Sequence, residues 1–568
     1  MNYTSEKNIL ILISLLKAYG IKKVVASPGG TNLSFVASIQ NDPFFEIYSC
    51  VDERSAGYMA CGLAGETLEP VVISCTGATA ARNYMPALTE AYYRKLPVVA
   101  ITSSRNTQHV GHLYAQMTDR SNRPNDIVIN SECIQQIRIT DDEWDCIIKI
   151  NKVLSSLFRH GGGPVHLNVE TKVSRDYSIT ELPKIRKIDR YFKGDKLPAI
   201  TANRIAVFVG SHHRWTQEET DALDSFCASY NAAVYCDHSS NFKGKNRILT
   251  SIIGMQNLPT KRMLDVDLAI HIGEVSGGYE AHRFSRKQTW RVNPDGEMRD
   301  LFHTLSAVFE MNEIDFFKYY GVKEPSQSQF SKELFSYYNE IIHKIPTLPF
   351  SNLWVAQQLS HRLPEGAVLH LGILNSLRAW NCFEIPMSVN SYSNTGGFGI
   401  DGPVSTLLGA SYANINRLYF LCVGDLAFFY DLNSLGNRHI KSNVRILLIN
   451  NGHGQEFLNN SSPGAELGDL TDKYIAAGGH FGNKSQILVK HYAEDLGFKY
   501  ISARTKEEFN TVMSAFLDSG SGLPIIFEIF TDSIDESKAL EIVSEIDYDK
   551  SKSCVRTIKK IAKSIIKK

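Results

Sequence analysis

No sign of charge prevails in this chain: 60 Lys and Arg balance 60 Asp and Glu, for a formal net charge of zero. That balance argues against a protein that grips nucleic acid through a basic surface. No apolar run approaches the ~20 residues of a bilayer-spanning helix; the longest near the start is only Ile9 to Leu16. That run lacks a basic flank and a small-residue cleavage site, so no secretory leader is expected. The ten cysteines never form a CxxC pair. In a chain of 568 residues they read as reduced thiols of a cytoplasmic protein, not as a disulfide frame or zinc cage. The phosphate-binding P-loop, HExxH and GxSxG are all missing. Val209-Gly210 follows a strand without continuing into GxGxxG, so no dinucleotide site is assigned to the middle third. His212 and His213 follow it with no carboxylate or cysteine partner at ligand spacing, and read as loop residues.

What is present is a repeated alternation of short β-branched runs with helix-period segments. Strands are predicted at Lys23–Ala26, Val71–Cys75, Val98–Thr102 and Val165–Val169, with helices over Ser5–Tyr19 and Glu53–Ala64. The first three strands are apolar at most positions, as in parallel strands covered on both faces; the fourth alternates and belongs nearer an edge. A charged stretch, Thr171 to Asn203, reads as a linker. A second series follows at Ile205–Gly210, Ala233–Cys236, Leu268–Gly273 and Thr289–Val292. Another weakly patterned region, Lys323 to Pro349, precedes a third series at Val368–Leu371, Leu418–Val423, Arg445–Asn450 and Ile525–Phe530. The first and third series both end in a Gly- and Pro-bearing turn before a strand, which suggests two sheets of one design. The expected architecture is α/β: three doubly wound parallel-sheet domains at 1–180, 195–335 and 346–540, then a basic tail at 547–568. Val555, Ile558, Ala562 and Ile565 share one face of that tail, which reads as a helix docked on its own subunit, a membrane surface or an anionic partner being the alternative.

Two constellations carry chemistry. Val423-Gly424-Asp425 closes one apolar strand, and Ile449-Asn450-Asn451-Gly452 closes the next. Ligands of open parallel sheets sit beyond the carboxyl ends of the strands. A carboxylate and an amide oxygen there suit a hard cation such as Mg²⁺. Gly424 lets a phosphate approach the backbone, and a helix beginning near Ala427 would point its N-terminus at it. The second constellation is Glu53, which opens a helix of small residues; alone, such a glutamate only complements the helix dipole.

Further stretches carry a family likeness. Ser27-Pro28-Gly29-Gly30, Asp52-Glu53-Arg54, Asn375-Ser376-Leu377, Asn394 to Gly402 with Ser405-Thr406, Gly424-Asp425-Leu426 and Tyr430 to Asn433 keep a shared spacing. Together they resemble the thiamine-diphosphate-dependent 2-oxoacid decarboxylase and carboligase superfamily. Within it the chain is most similar to the menaquinone-pathway synthases that join 2-oxoglutarate to isochorismate. The likeness runs through the first and third series.

The resemblance implies thiamine diphosphate and Mg²⁺ as cofactors. It implies that Glu53 hydrogen-bonds the cofactor's aminopyrimidine ring and so promotes loss of the thiazolium proton. Ile400 would prop the cofactor in a bent shape and Gly399 would contact its pyrimidine. Gly424, Leu426 and Ala427 would cradle the diphosphate, with Phe457 beside the cofactor. Asp425, Asn451 and the carbonyl of His453 would hold the metal. Glu53 would arrive across a subunit interface, implying a homo-oligomer, dimer or tetramer.

Departures from the pattern bear on substrate. Where the menaquinone synthases carry carboxylate-binding arginines, this chain has Thr31 and Thr395. A third such arginine falls on Trp380, with Arg378 near enough to stand in. An apolar family position beside the cofactor is Glu456 here. Losing guanidinium forks removes bidentate carboxylate recognition. Asn83, Gln116 and Ser376 complete the substrate-lining candidates. The expected activity is decarboxylation of a 2-oxoacid and transfer of its acyl carbanion to an acceptor, a transferase or lyase reaction, with substrates unlike those of the menaquinone synthases. Simple decarboxylation, the menaquinone reaction itself and non-catalytic cofactor binding are the alternatives. No nucleic acid or membrane span is expected, and the location is cytoplasmic.

Overall fold

The structure is a computed structural model that describes residues 2–256, 262–278, 280–321, 328–459, 462–481 and 484–547. The tail reading therefore falls, from residue 548 on, outside the described residues. By compactness the chain divides into two units. One is Met1–Asp195 with Gly296–Glu310; the other is Lys196–Asp295 with the residues from Met311 onward.

The first unit is built on six parallel strands: β1 (Lys23–Ala26), β2 (Glu46–Ser49), β3 (Val71–Thr76), β4 (Val98–Ser104), β5 (Asn130–Ile134) and β6 (Val165–Glu170). Their order is β2-β1-β3-β4-β6-β5. β1 and β4 are buried at every position, and β3 at all but its last, so these strands read as mostly apolar runs without alternation. β6 alternates in burial and lies beside the edge strand, as its pattern predicted. β2 and β5 are the edges; both are short and half-exposed, so no apolar run marked them. The unit also holds the parallel pair β7 (Asp189–Phe192) and β13 (Leu305–Glu310). β7 lies inside the stretch read as a linker.

In the second unit β8 (Ile205–Val209), β9 (Ala233–Cys236), β10 (Arg247–Leu249), β11 (Val266–Ile272) and β12 (Arg286–Val292) run parallel in the order β10-β9-β8-β11-β12. The third sheet comprises β14 (Val368–Leu371), β15 (Asn390–Ser393), β16 (Tyr419–Gly424), β17 (Val444–Asn450), β18 (Lys499–Ala503) and β19 (Ile525–Phe530). Its order is β15-β14-β16-β17-β19-β18. Counted within each sheet, this is the same second-first-third-fourth-sixth-fifth order as the first. The common design read from two terminal turns thus extends to the whole strand order. The region Lys323 to Pro349, read as weakly patterned, contains a helix at Phe330–His343. Phe330, Leu334, Tyr338 and Ile341 of that helix are buried at helical spacing, a pattern thinned by the polar residues between them.

What positions the site is the middle of the third sheet. Val423, Ile446 and Leu448 are fully buried. Each such side chain contributes about 1.5–3 kcal/mol of transfer free energy. They fix β16 against β17 in a parallel register that sets Gly424 opposite Ile449.

Candidate active site

Because β16 and β17 end side by side, Asp425 and Asn451 emerge together at the carboxyl edge of the sheet. Asp425 opens a helix, Asp425–Tyr430, with Gly424 as its cap. The sequence placed this start near Ala427; the chain turns helical two residues earlier because Gly424 adopts the extended cap conformation. The Asp425 carboxylate is buried and locked by the loop. Oδ1 accepts the Leu426 N–H at 2.7 Å and Oδ2 accepts the Gly452 N–H at 2.6 Å. Burial pushes its pKa up to about 6, against the pull of those amides and of His453. No Lys or Arg among the described residues forms an ion pair with it. A buried carboxylate so placed is stabilised by a cation. A Cβ added at Gly424 would meet nothing within 4 Å, so the backbone lies open to a ligand there.

These strand ends line a cavity of about 240 Å³. Of the sequence candidates it gathers Ser376, Gly399, Ile400, Gly424, Asp425, Leu426, Ala427, Asn451, His453, Glu456 and Phe457. Its charged lining is Asp425, Glu456 and Glu536, with His453 and without Lys or Arg. Glu536 was not foreseen. It sits in the first turn of the helix Ser533–Ser544, accepts Thr531 Oγ1–H at 2.7 Å and the Asn352 N–H at 2.9 Å, and is pushed up to about 7 by burial. An acid in a helix's first turn ordinarily complements the dipole, so nothing in the sequence marked it. Leu374 also lines the cavity, at φ 64° and ψ −119°, a conformation costly for a non-glycine residue. It caps the helix Asn375–Trp380 that brings Ser376 to the wall.

The donor chemistry fits the implied cofactor pair. Among the described residues no three His, Cys, Asp or Glu side chains cluster as a self-sufficient metal cage. Asp425, Asn451 and His453 instead line one cavity with a carboxylate, an amide and a backbone carbonyl, oxygen donors of the kind Mg²⁺ takes alongside phosphate. His453 is held by its N–H to Asn451 Oδ1 at 3.1 Å and by its ring Nδ1 on Asp472 at 2.7 Å.

Two candidates of this unit stand elsewhere. Thr395 is buried and lines a separate recess with Ser211 and Tyr392. Arg378 lies behind Glu456 and does not line the cavity. The other candidates belong to the first unit. Glu53 opens the helix Glu53–Thr67, with Asp52 as its cap, and accepts Asn83 Nδ2–H at 3.4 Å. Thr31 is spent internally, donating to the Ser103 carbonyl at 2.6 Å and touching Thr76. Gln116 is exposed, at φ 63°.

Residues 10–122 match the model of the thiamine pyrophosphate enzyme N-terminal TPP-binding domain. A 2-succinyl-5-enolpyruvyl-6-hydroxy-3-cyclohexene-1-carboxylate (SEPHCHC) synthase of Bacteroides fragilis is 30% identical over 95% of this chain and 98% of its own length. The chain belongs to the SEPHCHC synthase family of thiamine-diphosphate enzymes. The synthase of Bacteroides thetaiotaomicron is likewise 30% identical, over 95% of this chain and 98% of its own. That of Flavobacterium johnsoniae is 26% identical over 93% and 97%. A solved thiamine diphosphate-dependent 4-hydroxybenzoylformate decarboxylase of Rhodococcus jostii RHA1 overlaps 93% of this chain and 99% of its own, with a TM-score of 0.41 and 15% identity. Membership makes thiamine diphosphate the cofactor class of this chain. No helix among the described residues is long and apolar enough to cross a membrane.

Proposed function

We propose that this family member decarboxylates a 2-oxoacid and transfers the acyl carbanion to an acceptor, using thiamine diphosphate and Mg²⁺ in the cavity at the ends of β16 and β17. The observation that carries the reading is Asp425, a buried carboxylate without a cationic partner, beside Asn451 and an open Gly424 backbone. Bound thiamine diphosphate supplies an electron sink for the carbanion left when CO₂ departs. The chain's own residues hold and orient it. Asp425, Asn451 and the His453 carbonyl bind Mg²⁺, and Gly424, Leu426 and Ala427 face the diphosphate. Gly399 and Ile400 set the ring positions, and Phe457 excludes water beside them. Glu53 of a second copy accepts a proton-sharing hydrogen bond at the pyrimidine, which makes the working protein a homo-oligomer. Asn83 holds that glutamate. Gln116 and Ser376 stand as substrate-side positions, and the enzyme works in the cytoplasm. The relatives are named for the SEPHCHC reaction; the missing arginines at Thr31 and Thr395 set this chain's substrates apart from theirs.

The test is direct. Protein loaded with thiamine diphosphate and Mg²⁺ is offered a panel of 2-oxoacids, with CO₂ release followed and acceptor adducts read by mass spectrometry. CO₂ with an adduct supports transfer; CO₂ with only the aldehyde means that a proton is the acceptor. Glu53→Ala is expected to bind the cofactor and lose at least 100-fold in turnover, whereas Asp425→Ala loses Mg²⁺-dependent cofactor binding. Unchanged turnover in Glu53→Ala refutes the assigned role.

A further inference from the structure

The acidic wall of the cavity holds a guanidinium that cannot reach substrate. Arg378 Nη1 donates to Glu456 Oε2 at 2.7 Å and Nη2 donates to Glu456 Oε1 at 3.1 Å, a two-bond fork. Nη1 also donates to Asn375 Oδ1 at 2.7 Å, and Nε donates to Glu280 Oε1 at 3.3 Å. A guanidinium has five N–H donors. Four are therefore engaged inside the protein, and the face that pairs with a carboxylate is filled by Glu456. Asn375 is itself held by Asn459 Nδ2–H at 3.1 Å, so the clamp is fixed on both sides. One positive charge is matched by two negative ones, Glu280 and Glu456. The charged side chain of the cluster that lines the cavity is Glu456, beside Asn375, while Arg378 is nearly enclosed.

We infer that the Arg378–Glu456 clamp is a specificity device: it presents a fixed negative charge to the substrate end of the cavity, so the donor is a 2-oxoacid whose side chain carries no second carboxylate. This rests on the proposed function for the location of the donor, and on nothing from it for the charge. An ω-carboxylate brought to this wall meets Glu456 before any cation, and Arg378 has no free fork with which to bind it. A neutral side chain meets no such repulsion. Ser376 and Phe457, on the same lining, offer a hydroxyl and an apolar surface of suitable kind.

The experiment compares 2-oxobutanoate with 2-oxoglutarate as donors, and measures glutarate binding to the loaded protein by calorimetry. Glutarate has no oxo group to react, so its binding is read without turnover. Wild type is expected to prefer 2-oxobutanoate by at least 100-fold in kcat/KM and to show no saturable glutarate binding. Glu456→Gln, which keeps the side chain's length and frees the fork, is expected to bind glutarate and narrow the preference at least 10-fold. Glu456→Ala provides the same result if the glutamine remains bonded to Arg378. Arg378→Met combined with Glu456→Gln removes the gain. Wild type that binds glutarate as tightly as Glu456→Gln, or that uses 2-oxoglutarate as well as 2-oxobutanoate, overturns the inference and leaves the proposed function intact. Glutarate binding that follows the expected pattern while no oxoacid releases CO₂ upholds the charge assignment and overturns the proposed function instead.

Discussion

His238 shows how a single buried side chain supports the active-site wall. Its backbone N–H donates to Asn381 Oδ1 at 2.8 Å, and its ring Nε2 lies 2.9 Å from the Trp380 carbonyl and 3.0 Å from that of Phe383. Both ring contacts are to acceptors, so Nε2 carries the proton. These bonds hold the end of the helix Asn375–Trp380, which supplies Ser376 to the cavity and Arg378 to the clamp. Burial, reinforced by Lys243 and Arg247, pushes the ring's pKa down to about 4. The unfolded ring has a pKa near 6.5. Between these values the unfolded chain binds a proton that the folded one refuses, so stability is intact above pH 6.5 and falls toward pH 4. The slope is about 1.4 kcal/mol per pH unit. In urea titrations the wild-type advantage over His238→Gln is expected to shrink by about 2 kcal/mol between pH 7 and pH 5. An advantage that stays constant with pH refutes the neutral assignment. At this scale the placement of Asp425 and Asn451 was legible, because they occupy strand ends that apolar runs mark out. The clamp was not: Glu456 and Arg378 were each noticed, but 78 residues separate them. Only the fold shows that the carboxylate of one fills the fork of the other.

Among elements, a helix was predicted over Glu53–Ala64 and is observed over Glu53–Thr67, and the structure supplies the reason for its small residues. Ala56, Gly57, Ala60, Cys61 and Ala64 are buried against the helix Met85–Tyr93. A Cβ at Gly57 would lie 2.6 Å from the Ala87 Cβ, so the two backbones approach as only glycine permits. Gly62, on the same helix, faces open space. The two glycines should therefore respond to substitution with opposite signs. Gly57→Val is expected to destabilise by about 1–3 kcal/mol through overpacking. Gly62→Ala is expected to stabilise by up to about 1 kcal/mol through helix propensity. Urea midpoints measure both, and a neutral Gly57→Val would mean that the helices separate freely. The long central strands and this helix were legible because burial on all sides leaves an unbroken pattern in sequence. β2, β5, β10, β15 and β18 were not foreseen, because all five are edge strands of five residues or fewer. An edge needs less apolar surface than a centre, so periodicity gives little sign of it.

For the whole molecule, the proposed function asks Glu53, of one unit, to serve the cavity of the other. The proposed answer is a second copy of the chain, and the surface around Glu53 suits one. Val51 is 77% exposed, and Tyr58 and Met59 are each 48% exposed, on the segment and helix that carry Glu53. Three such side chains around a catalytic candidate form an apolar patch of the kind that marks an interface. In a two-fold dimer each substitution occurs twice in one isologous contact, so its effect is doubled. Met59→Arg places two cations within that contact and removes apolar area from both copies. Sedimentation velocity is expected to show wild type as a dimer or larger and Met59→Arg shifted to monomer, with a far-ultraviolet spectrum unchanged. Turnover should fall with the monomer fraction and recover at high protein concentration, because Glu53 then regains its partner's cavity. Mg²⁺-dependent binding of free diphosphate should persist in the monomer, since Asp425, Asn451 and Gly424 all come from one chain. A monomer with full turnover would refute the idea that two copies share each site.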